Sequence, residues 1–120
     1  MALILAADDS LAIRTMLKIM LSEMGHTVEL MEDGQQAIEF ASAHQADMVI
    51  TDLNMPNKSG MQVIEAVKQL PNYKYVPILV MTTETASDKK AQAKAAGASG
   101  WLSKPVTQER LTKAVNKLLN

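Results

Sequence analysis

The sequence predicts one α/β domain, a doubly wound, five-stranded parallel sheet with helices on both faces. Five short apolar runs alternate with five helical patterns, the order expected of repeated strand–helix units. The 120 residues suffice for one core and are too few for a second folded unit. Side chains able to handle charge follow four of the runs directly, at the carboxyl ends where open parallel sheets bind ligands.

The first run, Leu3–Ala7, ends at Asp8 and Asp9. Ser10 offers a helix cap, and Ile13, Met16, Leu17, Met20, Leu21 and Met24 recur at helical spacing until Gly25. Strand two spans Thr27–Met31 and ends at Asp33-Gly34, after which Ala37, Ile38 and Ala41 share one helix face. Strand three, Met48–Thr51, ends at Asp52, and the turn-rich stretch from Asn54 to Gly60 postpones the next helix. Ile64, Val67 and Leu70 mark helix three, ended by Pro71-Asn72. The fourth strand reads as Val76–Met81, closed by Thr82, and helix four, near Ser87–Ala96, has only alanines to bury. Strand five, Gly100–Ser103, precedes Lys104, and Leu111, Ala114, Val115, Leu118 and Leu119 form the apolar face of helix five.

Composition narrows the function. A net charge of −1 with 48% hydrophobic residues argues against nonspecific binding to nucleic acid or anionic membrane. With no cysteine, disulfides, thiolate metal sites and cysteine nucleophiles are excluded. No basic leader precedes the first apolar run, and no run approaches the roughly 20 apolar residues that span a bilayer, so a cytoplasmic protein is expected. There is no phosphate-cradling Gly-rich motif for nucleotides. His26 and His44 read as surface histidines, the nine methionines as core gap-fillers, and Lys89, Lys90 and Lys94 as a solvated face of helix four.

Asp8, Asp9, Asp52, Thr82 and Lys104 converge on one crevice in such a sheet. Adjacent carboxylates repel unless a cation offsets them, and Mg²⁺ takes oxygen ligands, commonly one or two carboxylates with substrate phosphate. A carboxylate held beside that metal can attack phosphorus and form an aspartyl phosphate. Taken singly, each residue has a blander reading: Asp8 or Asp9 as a helix cap, Asp52 as a turn residue, Thr82 as a strand end, Lys104 as a solvated charge. Their joint placement at four strand ends is what points to phosphoryl chemistry. Lys104–Pro105 is a candidate cis peptide.

The pieces Ala7-Asp8-Asp9-Ser10, Thr51-Asp52-Leu53-Asn54-Met55-Pro56, Met81-Thr82 and the stretch from Gly97 to Pro105 carry a resemblance. Over its whole length the chain resembles the receiver domain of two-component response regulators. The resemblance implies a flavodoxin-like fold with strand order 2-1-3-4-5. It implies that Asp52 takes a phosphoryl group from a phosphohistidine of a sensor histidine kinase. Asp9 and Asp52 would ligate Mg²⁺ by side chain and Asn54 by its backbone carbonyl, with Asp8 acting through water. Lys104 would pair with the phosphoryl group and Thr82 would turn inward to bond it, while Trp101 holds the place of the switching aromatic. Asn54, Thr83 and Glu84 occupy positions that modulate dephosphorylation. Three departures stand out: Ala7 for a bulkier residue, Thr83 for Ala or Gly, and Trp101 for Tyr or Phe.

The resulting reading is a stand-alone receiver over residues 1–120, expected to have no output domain and to be a monomer. It signals through protein contacts and catalyses only its own phosphorylation and dephosphorylation. By motif it is most like the chemotaxis receivers, which implies a downstream protein target such as the flagellar motor switch. The alternatives are a phosphorelay intermediate, a Mg²⁺-dependent aspartyl-phosphate phosphohydrolase and a phosphate-independent adaptor. The phosphohydrolase usually needs Asp-x-Asp and a cap domain, neither of which is present, and the adaptor would not require all five residues.

Overall fold

The computed structural model describes residues 1–119. Five strands, β1 (Leu3–Ala7), β2 (Thr27–Met31), β3 (Met48–Thr51), β4 (Ile78–Thr82) and β5 (Gly100–Ser103), form one sheet in the order β2-β1-β3-β4-β5. All four pairings are parallel, as the sequence and the resemblance led us to expect. Helices α1 (Leu11–Glu23), α2 (Gly34–Ala43), α3 (Gly60–Lys68), α4 (Ser87–Ala96) and α5 (Gln108–Leu119) connect the strands and complete the chain.

Alternation along the strands divides the core between the two faces. Ile4, Ala6, Met48, Ile50, Leu79 and Met81 face one way and pack with Leu17 and Leu21 of α1 and Leu111 and Val115 of α5. Leu5, Ala7, Val49, Ile78 and Val80 face the other way and meet α2, α3 and α4. The central strands therefore read as continuous apolar runs because both of their faces are covered.

Two boundaries differ from the sequence reading. β4 begins at Ile78, not Val76, and takes in Thr82. Pro77 has no N–H for a ladder and contributes only its carbonyl, to the Val49 N–H at 3.0 Å. α3 ends at Lys68, so Leu70 lies past it, at the entrance to a 3₁₀ turn spanning Pro71–Tyr73. That turn buries Tyr73 completely; its hydroxyl donates to the His44 carbonyl at 2.6 Å and accepts from the Ala46 N–H at 2.9 Å. Lys68 Nζ donates to the Tyr73 and Val76 carbonyls, and burial lowers the pKa of this lysine.

Candidate functional site at the carboxyl edge of the sheet

Register sets the two buried acids side by side. Ala7 pairs with Thr51, so Asp8 and Asp52 are each the first residue past their strand, and the Asp52 N–H still bonds the Ala7 carbonyl at 3.1 Å. Both carboxyls are buried while Asp9 is exposed. One carboxylate oxygen from each of Asp8, Asp9 and Asp52 lies within 4.8 Å of the other two.

Local backbone geometry aims these carboxylates. Asp8 Oδ1 accepts from the Ser10 N–H at 2.9 Å, and Asp52 Oδ1 accepts from the Leu53 N–H at 2.7 Å. Ser10 in turn caps α1, its hydroxyl accepting from the Ile13 N–H at 3.3 Å. Gly60 is required at the start of α3, because a Cβ there would collide with the Asp52 carbonyl.

Lys104 reaches into this cluster from the end of β5, where its N–H bonds the Thr82 carbonyl at 2.9 Å. Its ammonium donates to Asp8 Oδ2 at 2.7 Å and to Asp52 Oδ2 at 2.9 Å. Burial by itself would lower the pKa of Lys104, but the bonds and charges of Asp8 and Asp52 outweigh it and hold the value above that of an ordinary lysine. The Lys104–Pro105 peptide is cis, as expected. Three clustered carboxylates with one cation are an all-oxygen donor set short of positive charge, which fits a hard divalent ion such as Mg²⁺.

Thr82 is fully buried, and its hydroxyl accepts from the Glu84 N–H at 3.2 Å. Asn54 and Glu84 come together across the crevice and, with Lys89, line one cleft of about 100 Å³. Thr83, between Thr82 and Glu84, is exposed. Trp101 pairs with Val80 in the sheet, is partly buried, and borders a cavity of about 200 Å³ against Ala93 and Lys94 of α4.

Some contacts around the site had no sequence reading. Arg14 Nη1 donates to the Asp8 carbonyl at 2.9 Å and Nη2 lies 3.5 Å from Glu32 Oε1. Asp33 caps α2 and also grips Asn57 on the loop after Asp52. The Asp33-Gly34 pair was legible as a helix start, since Asp is a favoured cap; the Arg14 contact ends on a backbone carbonyl and carries no sequence signal. His26 is a partial correction: it is half-buried, and its Nδ1 accepts from the Ala2 N–H at 3.1 Å. Among the described residues, no helix is long and apolar enough to cross a membrane.

Known proteins share this arrangement. The response regulator receiver domain family matches residues 4–116. Among curated relatives, the histidine-protein kinase BarA of Shigella flexneri is 32% identical over 108 residues, but the chain covers only 12% of that protein's length. The chemotaxis protein CheY of Pseudomonas aeruginosa is 31% identical over 116 residues, which cover 96% of this chain and 94% of that one. The solved structure of the chemotaxis response regulator CheY4 of Vibrio cholerae is 43% identical, with a TM-score of 0.94 and 99% of each chain covered. With the strand order, the acidic cluster and Lys104 in place, the chain belongs to the response regulator receiver domain family of two-component signalling.

Proposed function

We propose that this receiver is a phosphorylation-dependent switch in which Asp52 accepts a phosphoryl group from a phosphohistidine of a sensor histidine kinase. One observation carries the reading: Asp52 is buried beside Lys104 and the acidic pair, so its carboxylate is restrained, paired with an ammonium and beside a candidate cation site. A carboxylate oxygen of Asp52 attacks phosphorus as the phosphorus–nitrogen bond of the donor breaks. Asp9 and Asp52 would hold Mg²⁺ with their side chains and Asn54 with its carbonyl, and Asp8 would act through water. When bound, Mg²⁺ neutralises charge on the phosphoryl oxygens. Lys104 moves from its present bonds to pair with the phosphoryl group, and Thr82 gives up its Glu84 contact to bond it.

The cleft shared by Asn54 and Glu84 supports their role, with that of the exposed Thr83 beside Glu84 in the chain, in setting the rate of dephosphorylation. Trp101, on β5 opposite Val80 and two residues from the level of Thr82 on β4, carries the change to the surface of α4, β5 and α5, where a separate protein binds. The likeness to two chemotaxis receivers over nearly their whole lengths favours control of a flagellar motor over a phosphorelay. The reading places the protein in the cytoplasm, where its kinase domain partner works.

Acetyl phosphate with Mg²⁺ should add one phosphoryl group by intact mass, and Asp52→Asn should add none. Undiminished labelling of that variant would place the acceptor elsewhere.

A further inference from the structure

The loop from Leu53 to Ser59 leaves the sheet edge at Asp52 and returns at α3, and most of its backbone has no ladder to hold it. Its near end is tied down by the Asp52–Leu53 contact and by the Gly60 N–H on the Leu53 carbonyl at 2.9 Å. Its far end is held by the β2–α2 turn. There Asn57, in the left-handed region at φ 67°, donates from Nδ2 to Asp33 Oδ2 at 2.7 Å. The Lys58 carbonyl lies so close to Gly34 that any Cβ at that position would collide with it.

Asp33 is itself fixed. Its other oxygen, Oδ1, accepts from the Gln36 N–H at 2.8 Å and caps α2, whose Gly34, Ala37 and Ala41 are buried in the core. One residue earlier, Glu32 meets Arg14, which holds the Asp8 carbonyl. The turn at 32–34 therefore reaches both walls of the acidic cluster, Asp8 through Arg14 and the Asp52 loop through Asn57.

We infer that Asp33 is a positioning residue for the cation site, acting through its Asn57 latch on the loop that carries Asn54. The inference rests on the reading of Asp9, Asp52 and Asn54 as the Mg²⁺ ligands. Mg²⁺ demands near-octahedral ligand positions, so a loop free to sample other positions binds it in proportion to the fraction correctly placed. Partners behind metal ligands commonly change metal affinity 10- to 100-fold. An exposed latch belongs at the low end, roughly tenfold.

The test is a Mg²⁺ titration of the full chain followed by amide NMR shifts, which also report whether the core is intact. Asp33→Ser keeps a capping oxygen for α2 but is too short to hold Asn57. Asn57→Gly keeps the left-handed backbone and removes the latch. Each should weaken Mg²⁺ binding by roughly tenfold with core shifts unchanged, and the double variant should be no weaker than either single, as expected for one shared bond. Should Asp33→Ser lose its core shifts, Asn57→Gly decides alone. Wild-type affinity in Asn57→Gly, or additive losses in the double variant, would overturn the latch. Failure of the wild type itself to bind Mg²⁺ near Asp9 and Asp52 would instead overturn the underlying cation site, and the latch with it.

Discussion

Asp8 and Asp52, neighbours across β1 and β3, are held in the same way. Each gives one carboxylate oxygen to a nearby backbone N–H and the other to Lys104, at 2.7 and 2.9 Å. Both acids thus share a single ammonium that contacts them from β5 and offsets only part of their charge. Among the described residues no ion pair reaches Asp9, so the site remains net negative. On the proposed reading, a cation or a phosphoryl group would enter by rearranging these bonds.

Removing Asp9 relieves repulsion that Lys104 does not offset. Asp9→Ala should raise the melting temperature without metal by about 2–4 °C and abolish stabilisation by Mg²⁺, which otherwise grows with its free concentration over its dissociation constant. Differential scanning calorimetry with and without Mg²⁺ decides it. A variant that still gains stability from Mg²⁺ as the wild type does would make the acidic pair structural.

On the proposed reading, phosphate and partner surface would communicate through Thr82 and Trp101, which lie on adjacent strands. Drawing the Thr82 hydroxyl away from the Glu84 N–H would then open room beside the indole, which could shift into the cavity against α4. Beryllium fluoride with Mg²⁺, a phosphoryl mimic, should change the emission of this sole tryptophan, and Thr82→Ala should blunt that change. Ligands shift such an equilibrium only through unequal affinity for its two states, so the mimic and a partner must reinforce each other. An unaltered response in Thr82→Ala, with the mimic bound, would exclude Thr82 as the coupler.

Far from the site, Tyr73 closes the segment leading into β3. Tyr73→Phe leaves the Ala46 N–H and His44 carbonyl without their partner, which costs about 1–3 kcal/mol for buried groups. Urea unfolding should show that loss with an unchanged dependence on denaturant. Equal midpoints for variant and wild type would mean that water replaces the hydroxyl.

Asp33 supplies the acid dependence. Its pKa is held below the ordinary value of 3.8, first by the Gln36 N–H and next by Asn57. The unfolded chain therefore binds a proton more readily, and the stabilisation by Asp33 is present above 3.8 and lost as pH falls through the lower folded value. The stability advantage of wild type over Asp33→Asn should accordingly shrink between about pH 5 and pH 2 in denaturant titrations. A constant difference across that range would show that the carboxylate charge is not what matters.

Much of this molecule was legible in one dimension. Strands β1 and β3 were visible because both of their faces are covered, which leaves unbroken apolar runs ending in Asp8 and Asp52. Ser10 and Gly25 bounded α1 by local backbone chemistry, which needs no distant partner. β4 was read too early because Val76 is apolar enough for a strand, whereas Pro77 denies it a ladder. Leu70 fits the apolar spacing of α3 but lies beyond it.

By itself the sequence determined the strand–helix alternation and the placing of Asp8, Asp9, Asp52, Thr82 and Lys104 at one sheet edge. These follow from local pattern and from the way parallel strands align their carboxyl ends. Only the tertiary structure decided which oxygen meets which donor. Lys104 stands 96 residues from Asp8, Asp33 stands 24 from Asn57, and Arg14 binds a carbonyl. Contacts of that kind depend on register and on the close approach that Gly34 and Gly60 permit, and no local periodicity encodes them.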